Sequence, residues 1–418
     1  MIRASSIYYT VVLSALMAIV LGSMVALSGM NKLLEQKIRI PQILMQNAYS
    51  GLAYAEVFHH ELEPGLPLEI SLFDGVLDSV ELAKKNWGAF TVLISEAHHR
   101  NQSCKVFSLC GQRPDDNQPN FYVVDNGRTI SVCGNTLLEG DCYLPSSGTK
   151  RAYIGGKNFT GTNLIAGREL RSSRNLPEVN MLLYNSILTP IGTIRPWSDH
   201  GSISEDSIHQ TFSDLPLILI GDQVISTSGM NISGQVWIEA DSVFIAMDSS
   251  VDGIVVKARA VSIESGFSGR LQIFAGEKIY VGTGAVLLYP SVLGMIENST
   301  NDGAKTELII DSAAKVLGSV FVLTEKNDFR NLPELTIETD ALVHGLAYCQ
   351  GKTQLKGTVN GSLYTEKFFL ETPASSYENY ILDGRVLDRL PQEFVCVDLL
   401  RDDSNEEPMP LTRIDFLK

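Results

Sequence analysis

At 418 residues the chain is long enough for two or three domains or for one extended solenoid. Charged residues make up 19% of it, below the roughly 25% typical of soluble proteins, while 34 residues are glycine, which suits turn-rich β-structure better than a helical enzyme. The formal net charge of −15, with no cluster of Lys and Arg, excludes nucleic acid as a partner, because neutralising phosphates needs grouped cations.

Residues 1–6 form a short head. From Ile7 to Leu27 the sequence reads IYYTVVLSALMAIVLGSMVAL, without one charge. At about 1.5 Å per residue such a helix crosses a hydrocarbon core of roughly 30 Å, and Tyr8 and Tyr9 sit where an interfacial aromatic belt belongs. A cleaved signal peptide has an apolar core of only about 7–15 residues followed by a small-x-small site, and neither is clear here. The expectation is an uncleaved transmembrane anchor over 7–28, with membrane lipid as its partner. The flanks, Arg3 on one side and Lys32, Lys37 and Arg39 with Glu35 on the other, lean slightly against export of the body. The short head and the even cysteine count favour an inner (cytoplasmic) membrane protein with most of the chain extracytoplasmic.

Residues 29–62 keep a broken helical pattern and read as a stalk. Leu34 and Ile38 are four apart, and Met45, Ala48, Leu52 and Ala55 follow at three- and four-residue steps. Pro41, between the two sets, is expected to kink the helix or start a second one. The membrane helix and Asn47-Ala48-Tyr49-Ser50-Gly51-Leu52-Ala53-Tyr54-Ala55 resemble the start of minor pilins and pseudopilins. The prepilin-peptidase site of that family, a Gly before Phe-Thr-Leu with a Glu five residues on, is absent, so processing is not implied.

Residues 63–129 read as a small antiparallel β or α+β unit. Val80 to Lys85 is expected as a short helix, followed by strands at Ala89–Ile94, Lys105–Leu109 and Phe121–Asp125, the last ending in the turn signal Asn126-Gly127.

From there short apolar pairs recur between glycines. The first coils of a β-helix are expected over 130–167, a crossing insertion over 168–214 and the β-helix body over 215–385. Gly234, Gly253, Gly269, Gly318, Gly345 and Gly361 each open a short alternating strand. In such a coil glycine supplies a positive φ or a close approach at the corner, and one side chain in two points into a shared apolar interior. Val236, Ile238, Leu271, Ile273, Val320, Val322, Leu335 and Ile337 should therefore be inside, with Phe321, Lys257 and Arg259 outside. The insertion, with Arg168, Arg171, Arg174, Pro177, Pro190, Pro196, Trp197 and His200, should pack along the flank. Residues 386–418 form a C-terminal segment containing the acidic run Arg401 to Pro408. The fold class is thus mainly β with an N-terminal transmembrane helix and a β-helical solenoid; a β-sandwich is the alternative, since short strands with regular turns fit that too. The Gly and Val patterns at Ala341–Ala347 and Leu355–Glu366 resemble bactofilins and other polymer-forming β-helix proteins. The layout as a whole is similar to membrane-anchored proteins of Bacteroidota, a kinship that implies no activity.

Cys104, Cys110, Cys133 and Cys142 crowd one stretch, with Cys349 and Cys396 beyond it. Pairs Cys104–Cys110 and Cys133–Cys142 are favoured if the compartment is oxidising, because local loops close cheaply; the other reading is six unpaired, half-buried thiols. His59-His60 with Glu61 and Glu63, and His98-His99-Arg100 with Glu96, are the only dense histidine clusters, and adjacent histidines on a helix diverge by about 100°, which chelates poorly. No metal, cofactor or catalytic residue is expected, and Gly282-Thr283-Gly284 reads as a turn. A polysaccharide-acting β-helix would need exterior carboxylates within about 5–10 Å of each other, for which Asp241, Asp248, Asp252 and Glu264 are the candidates. Trp237, Phe274 and Tyr280 would either stack on sugars or pack against the insertion, and packing is preferred.

The function expected is that of a non-enzymatic structural or scaffold protein of the cell envelope, assembling with itself or with envelope proteins in a pilus-like or surface assembly. A glycan-binding or glycan-processing β-helix is the alternative. With cysteines placed singly at Ser5 and Ser404 in a cysteine-free background, an impermeant maleimide on intact cells should label Ser404→Cys and spare Ser5→Cys. The converse would place the body in the cytosol.

Overall fold

The structure, a computed structural model, describes residues 4–73, 79–114, 118–188, 192–197, 207–297, 305–324, 331–400 and 409–417. Pro190, His200 and the acidic run 401–408 lie outside the described residues. The chain is mainly β with one long N-terminal helix, and it divides into two compact units. Residues 1–84 and 93–107 make the first; residues 85–92 and 108–418 make the second.

In the first unit a single helix, α1 (Ala4–Val57), runs 54 residues straight through Pro41. The proline forfeits one backbone hydrogen bond, and neither a break nor a second helix follows. Side chains from Ile7 to Arg39 are exposed, and the helix is long and apolar enough to cross a membrane. Beyond Pro41 one face is buried. Leu44, Ala48, Leu52 and Ala55 recur at three- and four-residue spacing, whereas Met45, expected on this stripe, faces away. The stripe packs on a meander of β1 (Leu68–Ser71), β2 (Ser79–Trp87), β3 (Phe90–His99) and β4 (Gln102–Gly111), in that spatial order. Gly51 is the point of closest approach: a Cβ there would come within 2.8 Å of Val80 and 3.0 Å of Leu82 and would also meet Ser95. The helix expected over Val80–Lys85 is instead part of β2. Val80 and Leu82 are buried while Glu81 between them is exposed, a period of two that only a strand provides.

The second unit is dominated by parallel strands that close into a barrel. Most of its strands register with others 15 to 29 residues along, so that like positions stack in columns. Leu219, Ile238, Val256, Ile273, Leu293, Val320, Ala347 and Leu363 form one such column, every member fully buried. Ile225, Val243, Val261, Ile279, Leu308 and Leu335 form a second. Each buried Leu, Ile or Val contributes about 1.5–3 kcal/mol, so the columns carry most of the cohesion. Gly318, Gly345 and Gly361 stack in register at a corner with φ of 150°, 144° and 138°, where a Cβ would strike the carbonyl of the strand beneath. Gly234 and Gly253 also take positive φ, and at Gly269 a Cβ would meet the carbonyl of Val251 at 2.7 Å.

The N-terminal part of this unit joins the same array out of sequence order. β5 (Phe121–Val123), grouped by sequence with the small unit, pairs in parallel with the strand Thr358–Glu371 near the end of the chain. β6 (Ile130–Cys133) lies in a separate three-stranded sheet, and β7 (Leu137–Leu138) stacks on the strand Arg385–Leu387. β8 (Cys142–Leu144) stacks on β5, and the strand Glu169–Arg171 on β8. The chain then crosses to the opposite end of the array, where Thr193–Pro196 pairs with Leu217–Ile220. The crossing segment contains the short helix α2 (Met181–Leu188).

Val320, Val322, Leu335 and Ile337 are all fully buried, and Arg259 is exposed. Phe321, expected outside, is also fully buried. It alternates away from Val320 and Val322 as a strand requires, but packs on Phe274 (centroids 6.3 Å apart) over the gap left by Gly294. Replacing Val322 or Ile337 by Asp buries an unpaired charge and should lower unfolding free energy by several kcal/mol. Lys257→Ser, which loses a part-exposed contact to Glu239 at 3.4 Å, should cost within about 1 kcal/mol in chemical denaturation. Equal losses at the two kinds of position would contradict the inward–outward assignment.

Candidate functional site

The exterior of the second unit is largely self-covered. Register places Phe274, Gly294, Phe321, Tyr348, Tyr364, Tyr122 and Tyr143 in one outward column. The tyrosines stack, with centroids 6.1, 5.8 and 5.7 Å apart along Tyr348, Tyr364, Tyr122 and Tyr143. The crossing segment pins this column. The Tyr348 hydroxyl donates to the Pro177 carbonyl at 2.9 Å, the Tyr122 hydroxyl to the Asn175 carbonyl at 2.9 Å, and Ser173 lies 2.8 Å from Tyr122. The Asn180 amide donates to Asp398 at 2.8 Å, tying the segment to the C-terminal stretch. Burial pushes the Asp398 carboxyl above its ordinary range against that hydrogen bond.

Trp237 and Phe274 are buried, which makes packing rather than sugar stacking their role. Trp237 meets Trp87 edge-on at 6.3 Å, and Trp87 in turn meets Phe212 at 5.7 Å. The Tyr280 hydroxyl donates to Asp311 at 2.6 Å. The four carboxylates singled out in the sequence are each engaged locally. Asp241 takes Arg259 at 2.8 and 2.9 Å, and Asp252 takes Arg270 at 2.7 and 3.0 Å. Asp248 accepts from Ser228 at 3.0 Å, and Glu264 from the Met247 amide at 2.7 Å. Asp252 lines a cleft of about 510 Å3 beside Trp87, Phe212 and Asp415. His59 and His60 stand nearly perpendicular, with ring centroids 6.0 Å apart. His98 lies 3.9 Å from Glu81 and 3.8 Å from Glu96. Among the described residues no group of three His, Cys, Asp or Glu is placed to hold a metal.

The expected disulfides are not formed: none of the six cysteines is in a disulfide. Cys104 and Cys110 lie six residues apart on the single strand β4, about 20 Å at 3.3 Å per residue, whereas a disulfide needs Cα atoms within about 7 Å. Cys142 belongs to the main core, while Cys133 packs with Ile154 and Leu370 in a separate cluster. Burial pushes the Cys142, Cys349 and Cys396 thiols up to about 12, so they behave as small apolar residues.

Two features that spacing did not mark stand out once register is known. The first lies at the ends of the array. The inward column that begins at Leu219 continues past Leu363 through Phe121 and Cys142 to Glu169, and at its other end Leu219 pairs with Arg195. An otherwise apolar column is terminated by opposite charges, both exposed. The second is a cleft of about 910 Å3 between the crossing segment and the corner at Glu366. No family model, curated protein or solved structure matches this chain.

Proposed function

We propose that the protein is a single-pass, membrane-anchored structural component of the cell envelope whose parallel barrel is wound as a β-helix and joins further copies through its ends. The anchor is the exposed, uncharged half of α1. The winding is supported by the pairings: Leu219 registers with Ile238, Ile238 with Val256 and Val256 with Ile273, always parallel and always one short circuit along the chain. A β-sandwich pairs its strands antiparallel. With none of the six cysteines in a disulfide, the cysteine argument for an extracytoplasmic body is withdrawn, and Lys32, Lys37 and Arg39 beyond the anchor lean against it.

The observation that carries the assembly is the pair of charged termini. Glu169–Arg171 registers with β8 and Thr193–Pro196 with Leu217–Ile220, and all the side chains of both end strands are exposed. Setting one copy's Glu169 strand on another's Arg195 strand continues the column with a carboxylate on a guanidinium. The same register lays Leu170 on Pro196 and Arg171 on Trp197, a cation over an aromatic ring. Burying such a pair offers specificity of partner and register more than raw affinity, since desolvation offsets much of the attraction.

Sedimentation of the full chain in detergent should show mass growing with concentration. Glu169→Arg and Arg195→Glu should each weaken association about tenfold or more, equivalent to about 1.4 kcal/mol, and the double exchange should restore it. A wild-type chain that stays monomeric throughout, or a double exchange no better than either single one, would contradict end-to-end assembly.

A further inference from the structure

The cleft beneath the crossing segment has a feature that neither packing nor self-assembly uses. At about 910 Å3 it lies near the top of the roughly 300–1,000 Å3 range of ligand sites. Its cations are largely spoken for: Lys367 lies 3.2 Å from Glu378, which Arg128 also engages. Asp125 is held by the backbone amides of Gly127 and Ser146 at 3.0 Å each. Glu366 differs. Among the described residues its carboxylate has no hydrogen bond or ion pair, although it is half-buried, and only the field of its neighbour Lys367 offsets its burial. Burial raises its carboxyl above the ordinary range. Leu176, Pro177, Val179 and Met181 of the crossing segment supply an apolar wall beside it.

We propose that this cleft binds a lysine side chain of a partner protein, its ammonium on Glu366 and its alkyl stem along the wall of the crossing segment. A carboxylate at the foot of an apolar wall is complementary to a four-carbon stem ending in a compact point charge, and less so to a planar guanidinium, which needs a forked acceptor set. The cleft is wider than one stem, which leaves room for the residues flanking the lysine and favours a protein segment over a free amine. Three of its charges, Asp125, Glu178 and Glu378, add to Glu366 against Arg128, Arg174 and Lys367, so the cleft is net negative by one.

The test uses the full chain in detergent and dansylcadaverine, a fluorescent primary amine on an alkyl stem. The probe should bind, its N-acetylated form should not, and Glu366→Gln should raise its Kd about tenfold without lowering the melting temperature, because no partner of Glu366 is lost. The blocked peptide acetyl-Ala-Lys-Ala-amide should displace the probe, and its Ala-Arg-Ala counterpart should do so at least fivefold less well. Unchanged binding in Glu366→Gln, or equal binding of the acetylated probe, overturns the site. Displacement by spermidine at lower concentrations than by the lysine peptide overturns the protein origin of the ligand. The end-strand exchanges at Glu169 and Arg195 should leave probe binding unchanged, which separates failure of this site from failure of the assembly.

Discussion

The second unit depends on a joint between the beginning and the end of its chain. Without β5, the strand Thr358–Glu371 would present Leu363 and Phe368 at a raw end. β5 covers them: Phe121 stacks on Phe368 with centroids 5.6 Å apart and planes within 8°, and Tyr122 stacks on Tyr364 at 5.8 Å. The joint makes the first strands of the unit the last layers of its array. Folding must therefore bring together segments some 240 residues apart in sequence, which delays the reward for closing that loop.

That joint dictates the crossing segment. From Glu169–Arg171 to Thr193–Pro196 the pairings pass through twelve strands, a distance of about 53 Å at roughly 4.8 Å per step. Residues 172–192 must span it. The eight residues of α2 supply about 12 Å, and the thirteen others at most about 43 Å at a strand's rise. The connection has almost no slack, and its described part is tied to the array at Tyr122, Tyr348 and Asp398. Outward aromatics form part of the bed it lies on: Tyr348 bonds to the Pro177 carbonyl and Ile187 lines one hollow with Phe274, both aromatics buried on what a strand pattern marks as the outer face. On another side the outward positions are charged instead: Lys278 meets Glu307 at 2.6 Å, and Lys305 links Glu307 and Glu334 at 3.2 and 2.9 Å. Burial works to raise the Glu307 carboxyl, but Lys278 and Lys305 outweigh it and hold it below its ordinary range.

What could be read from the sequence was what repeats locally. The apolar run of α1, the alternation that buries Val320, Val322, Leu335 and Ile337, and the corner glycines all follow from one-residue or short-range rules. What could not be read depends on register between distant strands. Phe321 is outward by alternation and buried against Phe274, a neighbour two strands away across the gap at Gly294. Cys104 and Cys110 looked close until a single strand held them apart. Val80 to Lys85 carries charges that mimic a helix, and only contact with α1 reveals a period of two. The candidate sites are the least legible: Glu169, Arg195 and Glu366 sit in no motif, and their meaning comes from which column or cleft each one ends in.

The central claim, that the start of the second unit is stacked in register on its end, is tested most directly by a disulfide across the joint. Tyr122→Cys with Tyr364→Cys places two thiols on paired positions of adjacent parallel strands, about 4.8 Å apart. Mild oxidation of the monomer followed by peptide mass spectrometry should find that crosslink in high yield. Tyr122→Cys with Tyr348→Cys, one strand further away, should give almost none. A crosslink in the second pair and not in the first, or in neither, would contradict the joint and the winding that rests on it.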